Sequence, residues 1–350
     1  MNNKMDKFNI ILADCNPEEI KTFAEGCNTI VANSKFKILS SISNGSHKGI
    51  IKNLFRYLKY FTFPFLIFLN RKKYNVILGW QQFYAINFAL FCRIFNVKKT
   101  NTIIIGNYTY KAKKGVIGRL YYKYMKYSCS NKYIDYIHVP SFNYADRNSR
   151  ELNIPIEKFI IQQFGIVDMS NSIDNIKAPM ENYSLSIGRS NRDFDFLVKV
   201  WSQPCLKNNI LVIASDTWKP NRDLPSNIIY RNDIKYKESF VWIKYSQICI
   251  TPIDDINLCS GDTVLLTGMM FARPVVITRP STLAEMYVED GVNGVCIEKD
   301  AKKAALIISD LLNDDEKRET LGNNARKCFL DKFSRRSMGI QLCKKIKELS

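Results

Sequence analysis

The sequence predicts an α/β protein made of two doubly wound halves. Three observations carry this. Short β-branched runs alternate with amphipathic stretches along the chain, the pattern of parallel strands joined by crossover helices. A polar stretch over residues 168–181 divides the alternation into two series. The chain has 350 residues, 46% of them hydrophobic, enough for two cores of ordinary size. Residues 1–168 are taken as a first domain, 169–335 as a second, and 336–350 as a closing basic helix.

In the first half, residues 8–13 read as a strand that ends at Asp14-Cys15-Asn16-Pro17, and Pro17-Glu18-Glu19 opens a helix. Residues 38–42 read as a strand and 44–49 as a loop. Residues 52–69 are aromatic and basic, too short for a bilayer span and interrupted by Pro64. They suit a segment lying in a lipid headgroup layer, or a core helix with solvated cations. Strands at 74–80 and 102–106 flank a buried helix over 83–95. Residues 111–132 form a basic, Tyr-rich helix, membrane-facing or solvated. Without an RNA- or DNA-binding pattern beside it, nucleic acid is not expected as a partner. Residues 136–141 read as the last strand of this half, and His138 within it as a core histidine.

The second half continues with strands at 183–187, 209–214 and 228–231 and helices at 193–201 and 238–245. Its centre is the stretch between the strands 248–252 and 274–278. There Val264, Leu265, Gly268, Met269 and Phe271 give a short helix, and Ser260-Gly261-Asp262-Thr263 form its entry. A small, Gly-containing entry lets backbone N–H groups converge on an anion, and in a β–loop–helix–β setting that anion is expected to be a nucleotide phosphate. Gly188-Arg189-Ser190-Asn191-Arg192-Asp193 likewise follows a strand and opens a helix. Gly188 permits close backbone approach, and Arg189 and Arg192 offer forks for a diphosphate. A helix entry capped by Ser190 or Asn191, with solvated arginines, is the structural alternative. Residues 300–312 and 316–329 are helices, and 335–349 a basic amphipathic tail.

The formal net charge is +18, and no Asp or Glu occurs between Glu25 and Asp135, so that stretch carries essentially the whole excess. An anionic membrane face or a lipid-diphosphate acceptor fits such a surface. The ten cysteines lack metal-site spacing and only His47 and His138 are present, so no zinc site and no obligatory metal are expected. Residues 1–7 lead directly into a strand, which predicts a cytosolic protein with reduced thiols.

Over residues 183–335 the chain resembles retaining GT-B glycosyltransferases of family 4, the bacterial polysaccharide type. The resemblance rests on Met269, Arg273-Pro274-Val275, Glu285, Asp290-Gly291-Val292-Asn293-Gly294, Leu321-Gly322-Asn323-Asn324-Ala325-Arg326 and the Gly188-Arg189 opening. It implies a GT-B fold of two Rossmann-like domains facing a cleft, with the terminal helix returning to the first. It implies an EC 2.4 glycosyltransferase, hexosyl-type, with a UDP- or GDP-sugar donor and no obligatory cofactor. Donor diphosphate would rest on Gly188, Arg189, Arg192, Ser260, Gly261, Asp262 and Thr263. The two glutamates of the family pattern fall on Cys259 and Thr267. Thr267 would offer a hydroxyl to the ribose where the family offers a carboxylate, and Arg189 and Thr267 are the catalytic candidates. Asp14 and His47 are the acceptor-side candidates. The expected role is retaining transfer of a sugar to a lipid-linked saccharide in capsule or O-antigen biosynthesis. The protein would be peripheral, on the inner face of a bacterial membrane. The alternative is a non-catalytic relative that binds a glycolipid or a partner enzyme. A same-fold nucleotide-sugar epimerase fits less well, because that chemistry calls for more acid and base groups.

Overall fold

A computed structural model of the chain describes residues 7–31, 35–41, 50–173, 176–258 and 260–349, with the side chains of 50–53 left aside. It divides into two compact units, Met1–Phe164 with Arg335–Ser350, and Gly165–Ser334.

The first unit has six parallel strands: β1 (Phe8–Ala13), β2 (Phe36–Ser40), β3 (Tyr74–Gly79), β4 (Thr102–Ile105), β5 (Ile134–Val139) and β6 (Phe159–Ile161). Their order in the sheet is β2-β1-β3-β4-β5-β6. Around them lie α1 (Pro17–Ile30), α2 (Ile50–Leu69), α3 (Gln82–Ile94), α4 (Gly115–Cys129), α5 (Phe142–Leu152) and a C-terminal helix, Arg335–Leu349. α1 starts where Pro17 predicts, because the Asn16 side chain accepts the Glu18 amide and Glu19 accepts the Asn16 amide. β3 is buried over Ile77–Gly79 and β4 over Ile103–Ile105, the parts covered on both faces of the parallel sheet.

The C-terminal helix packs on α1 at backbone distance. A Cβ at Gly26 would overlap the Arg336 carbonyl, and one at Gly339 the Phe23 carbonyl. Met338 and Leu342 then share a core with Phe23 and Cys27.

The Tyr-rich helix expected over 111–132 starts only at Gly115, which leaves Lys111, Lys113 and Lys114 before it, and two further features of this unit differ from the sequence expectation. Residues 136–141 are not the last strand, because β6 adds to the edge beside β5. With three residues it is too short to show a period. α5 follows β5 directly, held by Ser141 accepting the Tyr144 amide. Its composition is polar, and only Ala145, Asn148 and Leu152 are buried, so few apolar residues announce it.

His138 lies on β5, fully buried. Its Nε2 donates to the Gln162 carbonyl at 3.0 Å, and its Nδ1 accepts the Asn107 amide at 3.2 Å. Burial, the largest cause, lowers its pKa from 6.5 to about 4. A base depressed in the folded state binds its proton first in the unfolded chain. The stability from the neutral imidazole is therefore complete above about pH 6.5 and lost as pH falls toward 4. In urea titrations the wild type should lose on the order of 3 kcal/mol across that window. His138→Gln keeps a donor and an acceptor there and should flatten the dependence. An equally steep loss in that variant would assign the acid sensitivity to other groups.

The second unit also has six parallel strands: β7 (Tyr183–Ile187), β8 (Ile210–Ala214), β9 (Ile228–Arg231), β10 (Cys249–Thr251), β11 (Val275–Thr278) and β12 (Val295–Ile297). Their order is β12-β11-β10-β7-β8-β9. The helices are α6 (Phe194–Trp201), α7 (Tyr236–Tyr245), α8 (Asp262–Met270), α9 (Thr282–Tyr287), α10 (Ala301–Leu312) and α11 (Asp315–Cys328). Phe194, Trp201, Leu211, Ile250, Ile308 and Leu321 belong to one buried core.

Several residues of the 269–326 pattern act here as packing parts. A Cβ at Gly322 of α11 would overlap the Ala272 carbonyl. Arg273 donates to the Phe271 carbonyl, and Asn293 accepts the Glu289 amide and donates to the Tyr287 carbonyl. Arg326 pairs with both Asp168 oxygens at 3.0 and 2.7 Å, which fixes the start of this unit on α11.

Candidate active site

In a doubly wound sheet, ligands bind beyond the carboxyl ends of the strands where the strand order reverses. In the second unit that point lies between β7 and β10. The chain leaving β7 is Gly188-Arg189-Ser190-Asn191-Arg192, and the chain leaving β10 runs through residues 252–261 into α8. A cavity of about 880 Å³ opens there. It falls within the usual range of small-molecule sites, about 300–1,000 Å³. Gly188, Arg189, Arg192, Ser260, Gly261, Asp262, Thr263 and Thr267 all line it.

Arg192 is the strut of this site. Its guanidinium is wedged between two glycines. A Cβ at Gly188 would sit 2.8 Å from its Nε, and one at Gly261 2.6 Å from Nη1. Nη1 donates to the carbonyls of Ser190, Asn191 and Ser260 at 3.0, 3.2 and 3.3 Å. Among the described residues Nε is buried without a hydrogen-bond partner. Burial pulls the guanidinium below its ordinary pKa. Among the described residues its bonds go to carbonyls and none to a carboxylate. A cation held by carbonyls is not neutralised by a direct ion pair, although the Asp262 carboxylate lies within its field.

Arg189 has a different character. Its side chain is 77% exposed and meets Asp216 at 2.9 Å. Its carbonyl accepts the Thr217 hydroxyl, which fixes the backbone while the side chain stays at the mouth.

Asn191 pins the facing loop. With φ at 56° it turns its amide to donate to the Asp255 and Leu258 carbonyls and to accept the Asp255 amide at 2.6 Å. Neither Ser190 nor Asn191 caps α6. That part is taken by Asp193, which accepts the Phe196 amide and also holds Lys299 at 2.8 Å.

Gly261, φ 108°, is the N-cap of α8, and among the described residues no side chain caps it. Its first turn lines the cavity, where the positive end of the helix dipole favours an anion. Asp262 accepts the Thr263 amide at 2.8 Å, and burial raises its carboxyl above the ordinary value. The Thr267 hydroxyl donates to the Thr263 carbonyl at 2.6 Å, one turn back in the helix. It retains accepting capacity but no free proton in this arrangement.

The far wall of the cavity, Arg231 through Lys235 with Tyr236 and Phe240, was given no role from the sequence. Arg231 is locked on Asp233 by two bonds of 2.7 Å and lies over the Trp242 ring at 5.4 Å. Tyr236 and Phe240 meet edge to face at 5.2 Å. The available signal was positional: this loop leaves β9 at the same edge of the sheet as the other two.

In the first unit the strand order reverses between β1 and β3, and Asp14 stands just past β1. Its carboxylate accepts from Arg56 at 3.1 Å and from Gln81 at 2.9 Å. His47 and Cys259 lie outside the described residues. Among the described residues no three His, Cys, Asp or Glu side chains gather as a metal site.

Residues 262–328 match the family described as glycosyl transferases group 1. An uncharacterized glycosyltransferase of Methanocaldococcus jannaschii is 37% identical over 91 residues, 25% of this chain and 24% of that protein. The chain thus spans about a quarter of that relative's length. Likeness to solved structures covers nearly the whole chain. HepE of Anabaena, solved with UDP and glucose, is 12% identical with a TM-score of 0.55, covering 97% of this chain and 99% of that one. A glycosyltransferase of Rickettsia africae is 14% identical with a TM-score of 0.61, covering 99% and 100%. Sucrose-phosphate synthase of Thermosynechococcus elongatus is 14% identical with a TM-score of 0.59, covering 98% and 99%. The two parallel six-stranded sheets and the likeness to these structures give the chain a GT-B fold, and its match to the group 1 glycosyl transferases covers residues 262–328, which hold α8.

Proposed function

We propose that the protein is a retaining glycosyltransferase that uses a nucleotide diphosphate sugar, UDP- or GDP-linked. One observation carries the reading: Arg189, Arg192 and the first turn of α8, entered at Gly261, face one cavity at the switch point of the second unit. The diphosphate would lie against Arg192 and the α8 amides, with Arg189 closing over its outer oxygens. The nucleoside would extend toward Tyr236 and Phe240. HepE with UDP-glucose makes UDP the first donor base to test.

Transfer then needs little acid–base machinery from the chain. The bond from the anomeric carbon to the diphosphate oxygen breaks, and the acceptor oxygen bonds that carbon on the same face. The acceptor proton passes to the departing diphosphate. Arg189 and Arg192 stabilise the charge that grows on the leaving group. Thr267 positions the donor without titrating. On the acceptor side, Asp14 is steadied by Arg56 and Gln81 and suits a role in gripping acceptor hydroxyls.

The acceptor in this reading is a lipid-linked saccharide of a bacterial surface polysaccharide, met at the inner face of the membrane. Support comes from the acid-free stretch between Glu25 and Asp135. One feature favours the second reading, a glycolipid- or partner-binding relative without catalysis. Thr267, standing where a glutamate is the family habit, has its proton engaged within the helix.

The test is a thermal-shift panel of UDP, GDP, CDP, ADP and their sugar conjugates. A ligand at a hundred times its Kd stabilises the folded state by about 2.7 kcal/mol. One base should raise the midpoint clearly, and its sugar conjugate should turn over with a lipid-linked acceptor. A flat panel removes the donor reading. Binding without turnover supports the second reading.

A further inference from the structure

We propose that the first unit docks on an anionic phospholipid bilayer through a face made by α2 and α4, with the first turn of α4 entering the headgroup layer. This deepens the membrane part of the reading above and is independent of the donor assignment.

α2 is apolar on two sides. Tyr60, Ile67 and Phe68 are buried in the core. Leu54, Leu58 and Phe61, at helical spacing, form a second stripe and are 68%, 55% and 46% exposed. On α4, Val116, Ile117 and Leu120 are 64%, 76% and 62% exposed. The rings of Phe61 and Tyr124 approach to 6.4 Å and join the two helices. Large apolar side chains exposed in such continuity mark a surface that is covered in use.

The charge around the patch selects the cover. Among the described residues no side chain caps α4, and its first turn holds no acid, while Lys111, Lys113, whose ammonium lies over the Tyr121 ring, and Lys114 stand immediately before it. Cations at the positive end of a helix are unfavourable unless an anion joins them. The lysine loop is drawn over the apolar turn, because a Cβ at Gly118 would overlap the Lys113 carbonyl. Gly115, φ 77°, has nothing within 4 Å of its would-be Cβ, so the corner projects. A layer of lipid phosphates supplies anions for the lysines and apolar depth for Val116 and Ile117. A second copy of this face would instead bring the lysines together, with no acid between Glu25 and Asp135 to pair them. Among the described residues no helix is long and apolar enough to cross a membrane, so the mode is in-plane.

The test is sedimentation of the full chain with vesicles of phosphatidylcholine alone and of phosphatidylcholine mixed with phosphatidylglycerol. Expected are binding to the mixed vesicles only, release by salt, and a loss of about tenfold or more in Ile117→Asp. Changing Lys111, Lys113 and Lys114 together to Gln should cost about a hundredfold. Both variants should keep the wild-type melting temperature and nucleotide response. Equal binding to neutral vesicles, no binding to either, or full binding by Ile117→Asp would overturn the proposal. So would a wild-type dimer by light scattering that Ile117→Asp disperses. A flat nucleotide panel with vesicle binding intact removes only the donor reading. A nucleotide response without vesicle binding removes only this one.

Discussion

Gly261→Ala should weaken nucleotide diphosphate binding about tenfold or more and lower the melting temperature of the second unit. Two costs combine. Gly261 sits at φ 108°, a left-handed conformation that costs an L-residue about 1–2 kcal/mol. The new Cβ would also lie 2.6 Å from Arg192 Nη1 and 2.7 Å from Cζ. The guanidinium has no simple retreat, because Gly188 closes its other side and three carbonyls hold Nη1. Either Arg192 leaves its seat or the first turn of α8 shifts, and both uncouple the cation from the helix amides. Each 1.4 kcal/mol of lost interaction is a factor of ten in Kd. Calorimetric titration with the base chosen by the thermal-shift panel, beside a circular-dichroism melt, reads both effects. A lowered melting temperature with unchanged affinity would place the phosphates away from α8.

Much of this geometry is legible in the sequence. Strand–loop–helix punctuation places Gly188–Arg192 and Ser260–Thr263 at strand ends, and parallel sheets put such ends at one edge. Strand order and loop position do not depend on side-chain direction. What they leave out does depend on direction. Arg192 reads from sequence as a fork for a diphosphate, or in the structural alternative as a solvated arginine, and the structure makes it a buried strut between two glycines. Asn191 reads as a cap, yet it clasps Asp255 across the site. Partners such as Asp216 for Arg189 and Lys299 for Asp193 lie far along the chain, where no local spacing reveals them. The loop after β9 was passed over because Arg231-Asn232-Asp233 has no glycine to announce close approach to a ligand. β6 and α5 escaped for a simpler reason, three residues in one case and a polar composition in the other. Hydrophobic periodicity is a weak signal where little apolar surface is buried.

The two arginines should separate under mutation. Arg189→Ala removes an exposed side chain whose pair with Asp216 is itself exposed, 77% and 48%. Such a pair contributes little to stability, so the melting temperature should hold. Nucleotide diphosphate affinity should fall about tenfold, and its salt dependence should shallow as one phosphate contact is lost. Arg192→Met keeps comparable bulk between Gly188 and Gly261 but leaves the Ser190, Asn191 and Ser260 carbonyls without their donor. That should cost about 1–3 kcal/mol of stability together with at least a tenfold loss of affinity. Arg192→Lys should not restore either, because a single ammonium cannot reproduce a planar fork that bonds carbonyls on one side and an anion on the other. Parallel melts and titrations of the three variants distinguish the roles. Unchanged affinity in Arg189→Ala, with loss only in the Arg192 variants, would seat the diphosphate deep between the glycines. Arg189 would then serve Asp216 alone. Unchanged affinity in Arg192→Met, with stability lost, would make Arg192 purely structural and put the anion at the mouth. Loss in both, with stability lost only at Arg192, is the outcome the geometry predicts: one cation that builds the seat and one that closes it.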